Sequence, residues 1–448
     1  MKLITSSTFV TRNASIFVLV LWISFGLVVL SLYFANSMSF ELKSADNRVA
    51  STEANMALQG AARYASYVIT TLATNGVVPD RQSYRSEWVP VGDASFWFLG
   101  EANIEQQRSE FIPTFGLVDE ASRLNLNTAT PEMLQMLPGM TVEFAAAIVD
   151  WRDTNAEPSE NGAENEMYQR LTPARSCKNA PFESVDELRL VYGATIEILY
   201  GEDSNRNGIL DPNENDGDLS LPLDNADGRL QPGITSYVTV HSRQLNTKPD
   251  GSPRINIAAP NSRTQLQQLL EETFGAQRAG EINTGGQFTS VLQFYARSGM
   301  TADEFAQIED ELTASNQAVT QGLINVNTAS EVVLACVPGI GQDKASTLVA
   351  QRSGLSWSQL TSVAWVKDAL DTQSINQAGP LLTGRTYQLT ADVVAVGRFN
   401  RGFRRTRFVI DATQSTPRIV YRQDLSHLGW ALGQQVRENL QQELESRL

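Results

Sequence analysis

From Asn13 to Phe40 the chain carries no charged residue. Within that span Ser15–Ala35 reads SIFVLVLWISFGLVVLSLYFA. A bilayer core needs roughly 20 apolar residues in a helix, and this stretch supplies them. In lipid each backbone amide must find its partner inside the segment, so a lone span can only be a helix. Lys2 and Arg12 precede the run, and Glu41 and Asp46 follow it. That bias leaves the N-terminus in the cytoplasm and exports the rest. A cleaved secretory signal is the alternative. The run is long for a signal core, and ANSMS after it only approximates an A-x-A site, so a retained single-pass anchor is expected. Beyond it, residues 41–73 are rich in Ala, Leu and Glu, with no Gly or Pro before Gly60. Met56, Gly60, Tyr64, Tyr67 and Leu72 recur at helical spacing. They predict a continuous helix packed on a soluble domain by that face.

A second constraint is a repeat. LNLNTATPEMLQMLPGMTVEFAAAIVDWR begins at Leu124, and INVNTASEVVLACVPGIGQDKASTLVAQR begins at Ile324. Asn125, Asn127, Pro138, Gly139 and Arg152 match Asn325, Asn327, Pro338, Gly339 and Arg352 without a gap. Two copies of one supersecondary unit are expected, each a strand, a helix, a tight turn and a helix. Thr130 with Pro131, Thr141 and Ser330 are N-cap signals. Between the copies, SYVTVHSRQ and PRINIAA alternate like two strands joined by a turn at KPDG. SRTQLQQLLEETFG and TADEFAQIEDEL read as helices, the second opened by a capping box from Thr301 and Glu304. After Gly384 the pattern becomes a β-meander, and residues 425–448 close the chain as a helix or tail. The fold class is α+β, in which helical blocks interrupt a sheet assembled from distant segments.

The chain has 448 residues, too many for one compact core. Its formal charge is −15, from 50 acidic and 35 basic residues, so most of its surface repels a polyanion. Two histidines and two cysteines leave little for a zinc centre or a histidine catalyst. No nucleophile motif, phosphate loop or catalytic carboxylate pair occurs, so no catalytic residue and no enzymatic activity are expected. Cys177 and Cys336 could pair in an oxidising compartment, but Cys336 lies on the apolar side of its helix, where a buried thiol is expected.

DSNRNGILDPNE, Asp203 to Glu214, matches the twelve-residue calcium loop D-x-[DN]-x-[DN]-G-x5-E at every specified position. Asp203, Asn205 and Asn207 supply side-chain oxygens, and Ile209 its carbonyl. Asp211 binds directly or through water, and Glu214 closes the sphere with two oxygens. Gly208 permits the sharp turn and Leu210 tucks the loop against a core. The flanks are not those of a paired EF-hand, so a structural staple is expected instead of a sensor. Downstream, Asp216, Asp218, Asp224 and Asp227 suit either a second cation or a plain acidic turn.

The repeated units resemble helix–hairpin–helix motifs, which present backbone amides to a DNA phosphate with help from Lys or Arg. Copy one lacks the second turn glycine. Copy two keeps Gly339 and Gly341 but has only Lys344 and Arg352 as cations, against Glu331 and Asp343. Packing modules, with no nucleic-acid site, are expected. The rival is a membrane-anchored DNA receptor of the competence type. One basic stretch, Arg398, Arg401, Arg404, Arg405 and Arg407 among phenylalanines, reads as a hairpin turning at Asn400–Gly402 with a charged outer face.

These motifs together resemble the minor pseudopilin K family of type II secretion systems. The resemblance rests on VLW in the apolar run, GLVDEASRLNLNTA with LPGMT and AAAIVDWRD, CKNAPFESVDELRLVYG, LYGEDSNRNGILDPNENDGD, and INVNTA with PGIG. It implies a pilin-like long helix packed on an antiparallel sheet, with a large helical insertion holding both hairpin-like units. It implies calcium, partnership with I-type and J-type minor pseudopilins and a major pseudopilin, and a periplasmic domain on an inner-membrane anchor. It also implies a place at the pseudopilus tip, initiating or capping assembly for protein export. Prepilin peptidase would cut after Ala14 and leave Ser15 as a methylated N-terminus, although the family's usual residue before the cut is glycine. Most pilin-like subunits carry a glutamate at mature position 5; here that position is Leu19. The expected divisions are leader 1–14, transmembrane helix 15–35, pilin-like helix and first strands 36–126, helical insertion with the calcium loop 127–233, strands 234–258, helical region 259–384, β-meander 385–424 and tail 425–448.

Overall fold

A computed structural model describes residues 12–73, 76–101, 113–248, 250–414 and 416–447. Helix α1, Arg12–Leu72, runs unbroken for 61 residues. Its apolar first half, Ile16 to Phe34, is exposed along its length, as a segment meant for lipid would be. Its second half is buried on one side. The buried positions are Ala50, Ala54, Ala57, Leu58, Ala61, Ala62, Ala65, Val68 and Ile69. The aromatic stripe expected from the sequence is therefore misplaced, since Met56 and Tyr67 point to solvent. Alanines win this face because they let the helix axis approach a sheet closely. Tyr64 lies at the margin, stacked on Phe98 with ring centroids 6.0 Å apart.

Strands β1 (Val89–Val91), β2 (Ala94–Leu99) and β3 (Val118–Asp119) follow the helix. The insertion then begins with β4 (Leu124–Asn125) and helices α2 (Pro131–Gln135), α3 (Val142–Arg152), α4 (Asn165–Gln169) and α5 (Ile196–Tyr200). Next come β5 (Val238–Thr239), β6 (Arg243–Leu245), β7 (Ile255–Asn256), and helices α6 (Arg263–Glu281), α7 (Val291–Ser298) and α8 (Ala302–Ile308). After β8 (Leu312–Thr313), β9 (Val319–Gln321) and β10 (Ile324–Asn325) come α9 (Glu331–Ala335), α10 (Gly341–Ser353), α11 (Val366–Ala369) and α12 (Thr372–Ala378). Strands β11 (Leu382–Thr383), β12 (Gln388–Gly397), β13 (Arg401–Asp411) and β14 (Arg418–Asp424) precede α13 (Gly433–Arg447).

The main sheet has the order β1-β2-β12-β13-β14, with β3 also pairing to β12, and every pairing is antiparallel. Strand β12 is buried on both faces. Leu389, Ala391, Val393 and Ala395 pack under α1. Val394 and Val396 face the other way and meet Ala431, Leu432, Val436 and Leu440 of the tail. The period of two thus divides one strand between two cores. Gly397 and Gly402 bracket the β12–β13 turn, where a Cβ would stand 2.2 Å from the Ala50 carbonyl oxygen and 2.4 Å from its carbon. Only glycine lets the turn touch the helix there.

The insertion holds three modules of one plan, where the sequence had disclosed two. Each opens on an apolar residue followed by asparagine: Leu124-Asn125, Ile255-Asn256, Ile324-Asn325. Each closes on an apolar residue followed by threonine: Val238-Thr239, Leu312-Thr313, Leu382-Thr383. Opening and closing strands pair in parallel in all three. The asparagine Oδ1 accepts the amide two residues on, from Asn127, Ala258 and Asn327, at 2.9–3.1 Å. The threonine hydroxyl accepts the amides of His241, Ser315 and Arg385 at 3.0–3.1 Å. Residues 234–258, expected to form a strand pair of their own, instead give three short strands to three different partners. One hydrophobic cluster runs through all three modules.

Candidate metal centre

The segment Asp203–Glu214 leaves α5 and ends in a single 3-10 turn, Pro212–Glu214. Gly208 takes φ +69°, the left-handed turn its position in the motif requires. Asp203 and Glu214 are buried, and Asn207 with them. The Asp203 carboxylate accepts the amides of Asn207 and Gly208, each at 3.0 Å. Glu214 accepts the amides of Ser204 at 3.0 Å and Asp211 at 3.1 Å. Asp211 receives the side-chain amides of Asn205 at 2.6 Å and Asn207 at 2.9 Å. Asp203, Asn205, Asn207, Asp211 and Glu214 are thus drawn into one hydrogen-bonded loop around the Ile209 backbone.

Burial pushes the Glu214 carboxyl up to about 8, with Asp203 adding repulsion. Burial likewise pushes Asp203 up to about 6 and raises Asp211. A buried group of carboxylates that raise one another's proton affinity is short of positive charge. Among the described residues no three Asp, Glu, His or Cys side chains stand close enough to hold a metal ion. The Asp203 and Glu214 carboxylates are engaged by backbone amides of the loop itself. Rotating the Asn205 and Asn207 amides by half a turn would present Oδ1 where Nδ2 now meets Asp211. The donor set is all oxygen and suits a hard divalent cation.

The loop is fastened to the main sheet by Arg405, a fully buried side chain that sequence reasoning had assigned to a charged outer face. Its guanidinium donates to Asp392 at 2.8 and 2.9 Å and to the carbonyls of Asn205 and Arg206 at 2.6 Å. Arg407 shares Asp392 at 2.8 Å. Together the two arginines hold the Asp392 carboxyl far below the usual range, against the cost of burial. Arg405 faces the insertion, away from α1, because it falls on the odd face of β13, a placement that strand alternation could have disclosed.

Asp216, Asp224 and Asp227 close turns. Asp224 accepts the amides of Asp216, Gly217 and Ala226, Asp216 accepts Ser220, and Asp227 accepts Arg229. Asp218 is exposed. Cys177 and Cys336 are buried free thiols. Ala14 and Ser15 lie in the first turns of α1, and their side chains lie outside the described residues, as does most of the leader.

The cations of the hairpin-like units are occupied internally. Arg352 donates to the carbonyls of Val326 at 3.0 Å and Ala329 at 2.6 Å, and Arg152 does the same to Leu126 and Ala129. Lys344 pairs with Asp371 at 2.9 Å.

Among the described residues one helix is long and apolar enough to cross a membrane, and it runs into an antiparallel sheet with a helical insertion, which defines an α+β protein. Two models of "Type II secretion system (T2SS), protein K" match it, at residues 122–200 and 324–382, which lie on the first and last modules. Over those two segments the chain is similar to the type II secretion system protein K family. Over 62 residues it is 39% identical to type II secretion system protein K of Klebsiella pneumoniae, covering 14% of this chain and 19% of that protein. The matched stretch thus spans about a fifth of the relative's length. Among solved structures, the GspK-GspI-GspJ complex from the Type 2 Secretion System of enterotoxigenic Escherichia coli aligns with a TM-score of 0.43 and 11% identity. That alignment covers 86% of this chain and 99% of the matched one.

Proposed function

We propose that this chain is a non-enzymatic minor pseudopilin, which initiates or caps a pseudopilus tip in type II secretion. The observation carrying this is α1: one half is bare and apolar, the other is built into the sheet. Such a helix can pass from a bilayer into a helical stack without refolding. The N-terminus lies in the cytoplasm and the folded part in the periplasm. Prepilin peptidase cuts after Ala14, and Ser15 is then methylated. Leu19 stands where pilin-like subunits carry a glutamate that a neighbour's terminal amine would neutralise, so this subunit can end a stack without a stranded charge. The two hairpin-like units act as packing modules, since their cations are already bound inside the fold. The partners are I-type and J-type minor pseudopilins and the major pseudopilin. Co-purification of the full chain in detergent with those subunits tests this. Capture of duplex DNA at low salt, without capture of pseudopilins, would replace the reading by the DNA-receptor one.

Calcium is the cation proposed for Asp203, Asn205, Asn207, Ile209, Asp211 and Glu214. When bound it supplies the positive charge that the buried carboxylates lack and fixes the loop against Arg405. The downstream carboxylates Asp216, Asp218, Asp224 and Asp227 are assigned to an acidic turn. Glu214→Ala is expected to abolish the calcium-dependent rise in melting temperature. An equal rise in wild type and variant would refute the site.

A further inference from the structure

The membrane-proximal end of the folded domain differs in charge from the rest of this acidic chain. Where α1 emerges from its apolar half, Phe40, Lys43, Asn47, Arg48 and Ser51 line one side of an open groove, and Arg404 of the β12–β13 hairpin lines the other. Two more hairpin arginines are neutralised by carboxylates of the same helix, Arg398 by Glu53 at 3.2 Å and Arg401 by Asp46 at 4.0 Å. The groove cations are treated differently. Lys43 and Arg48 are exposed, and among the described residues Lys43, Arg48 and Arg404 form no ion pair. Arg404 is held over the groove by hydrogen bonds to Ser51 Oγ and to the Phe403 carbonyl.

The position of this groove can be measured along the helix. The uncharged stretch 13–40 is about 42 Å long at 1.5 Å per residue. A bilayer with both headgroup layers is roughly 40–45 Å thick. Phe40 and Lys43 therefore stand at the level of the headgroups, and Arg48 about 8 Å beyond. Phe40 is 71% exposed, as an aromatic at a lipid–water boundary would be. Three cations without an ion pair beside such an aromatic fit a phosphodiester next to acyl chain.

We propose that this groove binds the headgroup of an anionic phospholipid, such as phosphatidylglycerol, in the leaflet facing the folded domain. The lipid fixes the angle between α1 and the bilayer and leaves when the helix is drawn out of the membrane. This rests on α1 being an anchor.

The test uses the full chain in non-ionic detergent, titrated with phosphatidylglycerol or phosphatidylcholine, with retained lipid counted by native mass spectrometry. Phosphatidylglycerol is expected to be retained at least about tenfold better, and less so as salt rises. Lys43→Gln with Arg48→Gln reduces retention toward the phosphatidylcholine level; neither side chain has a bond in the fold to lose. Adding Arg404→Gln completes the loss, and Arg404→Lys restores part of it. Equal retention of both lipids by the wild type overturns the proposal. So does a double variant that keeps its phosphatidylglycerol but no longer captures another pseudopilin, which would make the groove a subunit contact. Alkaline carbonate extraction separates the two readings. Release from membranes defeats the anchor, whereas a retained chain without lipid preference defeats only the groove.

Discussion

The first and last modules of the insertion are locked by an arginine, and the middle one is not. In the outer pair, Arg152 and Arg352 reach back from the second helix to two carbonyls at the start of the first. Asn127 and Asn327 then clamp the segment that follows, through Phe182 and through Trp365 with Gly384. In the middle module the hydroxyl of Ser262 serves nearby carbonyls, of Asn256 and Ala259, and Ala258 stands in place of the clamping asparagine. What all three share is the neck: asparagine turn, parallel strand pair, threonine cap. The neck is the minimum that closes a module, and the arginine joins two helices within it. The matched family segments fall on the two arginine-locked modules alone.

This contrast can be broken by mutation. Arg352→Met leaves two carbonyls without their charged donor and is expected to lower stability by roughly 3 kcal/mol, with Arg152→Met close behind. Ser262→Ala should cost about 1 kcal/mol. Urea melts that gave equal losses at the three sites would remove the distinction. A second expectation concerns what the last module's neck grips. Asn325 and Thr328 donate to Asp119 at 2.8 and 2.7 Å, whereas Asn125 donates to Ser242. Burial pushes the Asp119 carboxyl up to about 6. The folded chain therefore holds that proton more tightly than the unfolded one. Its contribution is greatest below about pH 4 and is lost as pH rises through about 6. Relative to Asp119→Asn, the wild type should lose up to about 3 kcal/mol between pH 4 and pH 7. A pH profile that the substitution leaves unchanged would place the titrating group elsewhere. As at Ser262, an effect of about 1 kcal/mol is expected at Asn256→Ala, with increased amide exchange at Ala258 and Ile257 confined to the middle neck. Exchange spreading to the outer modules would show that the three open as one unit.

Local signals in the sequence were accurate where a side chain answers to its own backbone. Thr130, Thr141 and Ser330 accept the amides expected of N-caps, at 3.1–3.3 Å, and Thr301 with Glu304 forms its capping box. The β12–β14 meander and the uncharged helix were equally plain. The middle module escaped notice because INIAAPNSRTQ keeps only the asparagine and its apolar neighbours. Its helix α6 is long and breaks at Gly275, φ +81°, with no Pro-Gly turn to mark the unit. The face of α1 was misjudged because the bulkier Met56 and Tyr67 were weighed above the alanines, while the spacing to the sheet favours alanine. The loop Asp203–Glu214 was legible as a motif, and strand alternation could have placed Arg405 on its side of β13, but the partner of Arg405 could not be read. Its role depends on a contact with Asn205, 200 positions away.

Helix α1 packs directly on β12 and β13, strands from near the other end of the chain. A tension applied along the helix passes into those strands at once. The three modules hang beside that route on their necks and carry none of the load. A motor that hauls the helix out of a membrane would therefore pull on a short, stiff link, while the bulk of the protein rides along undeformed.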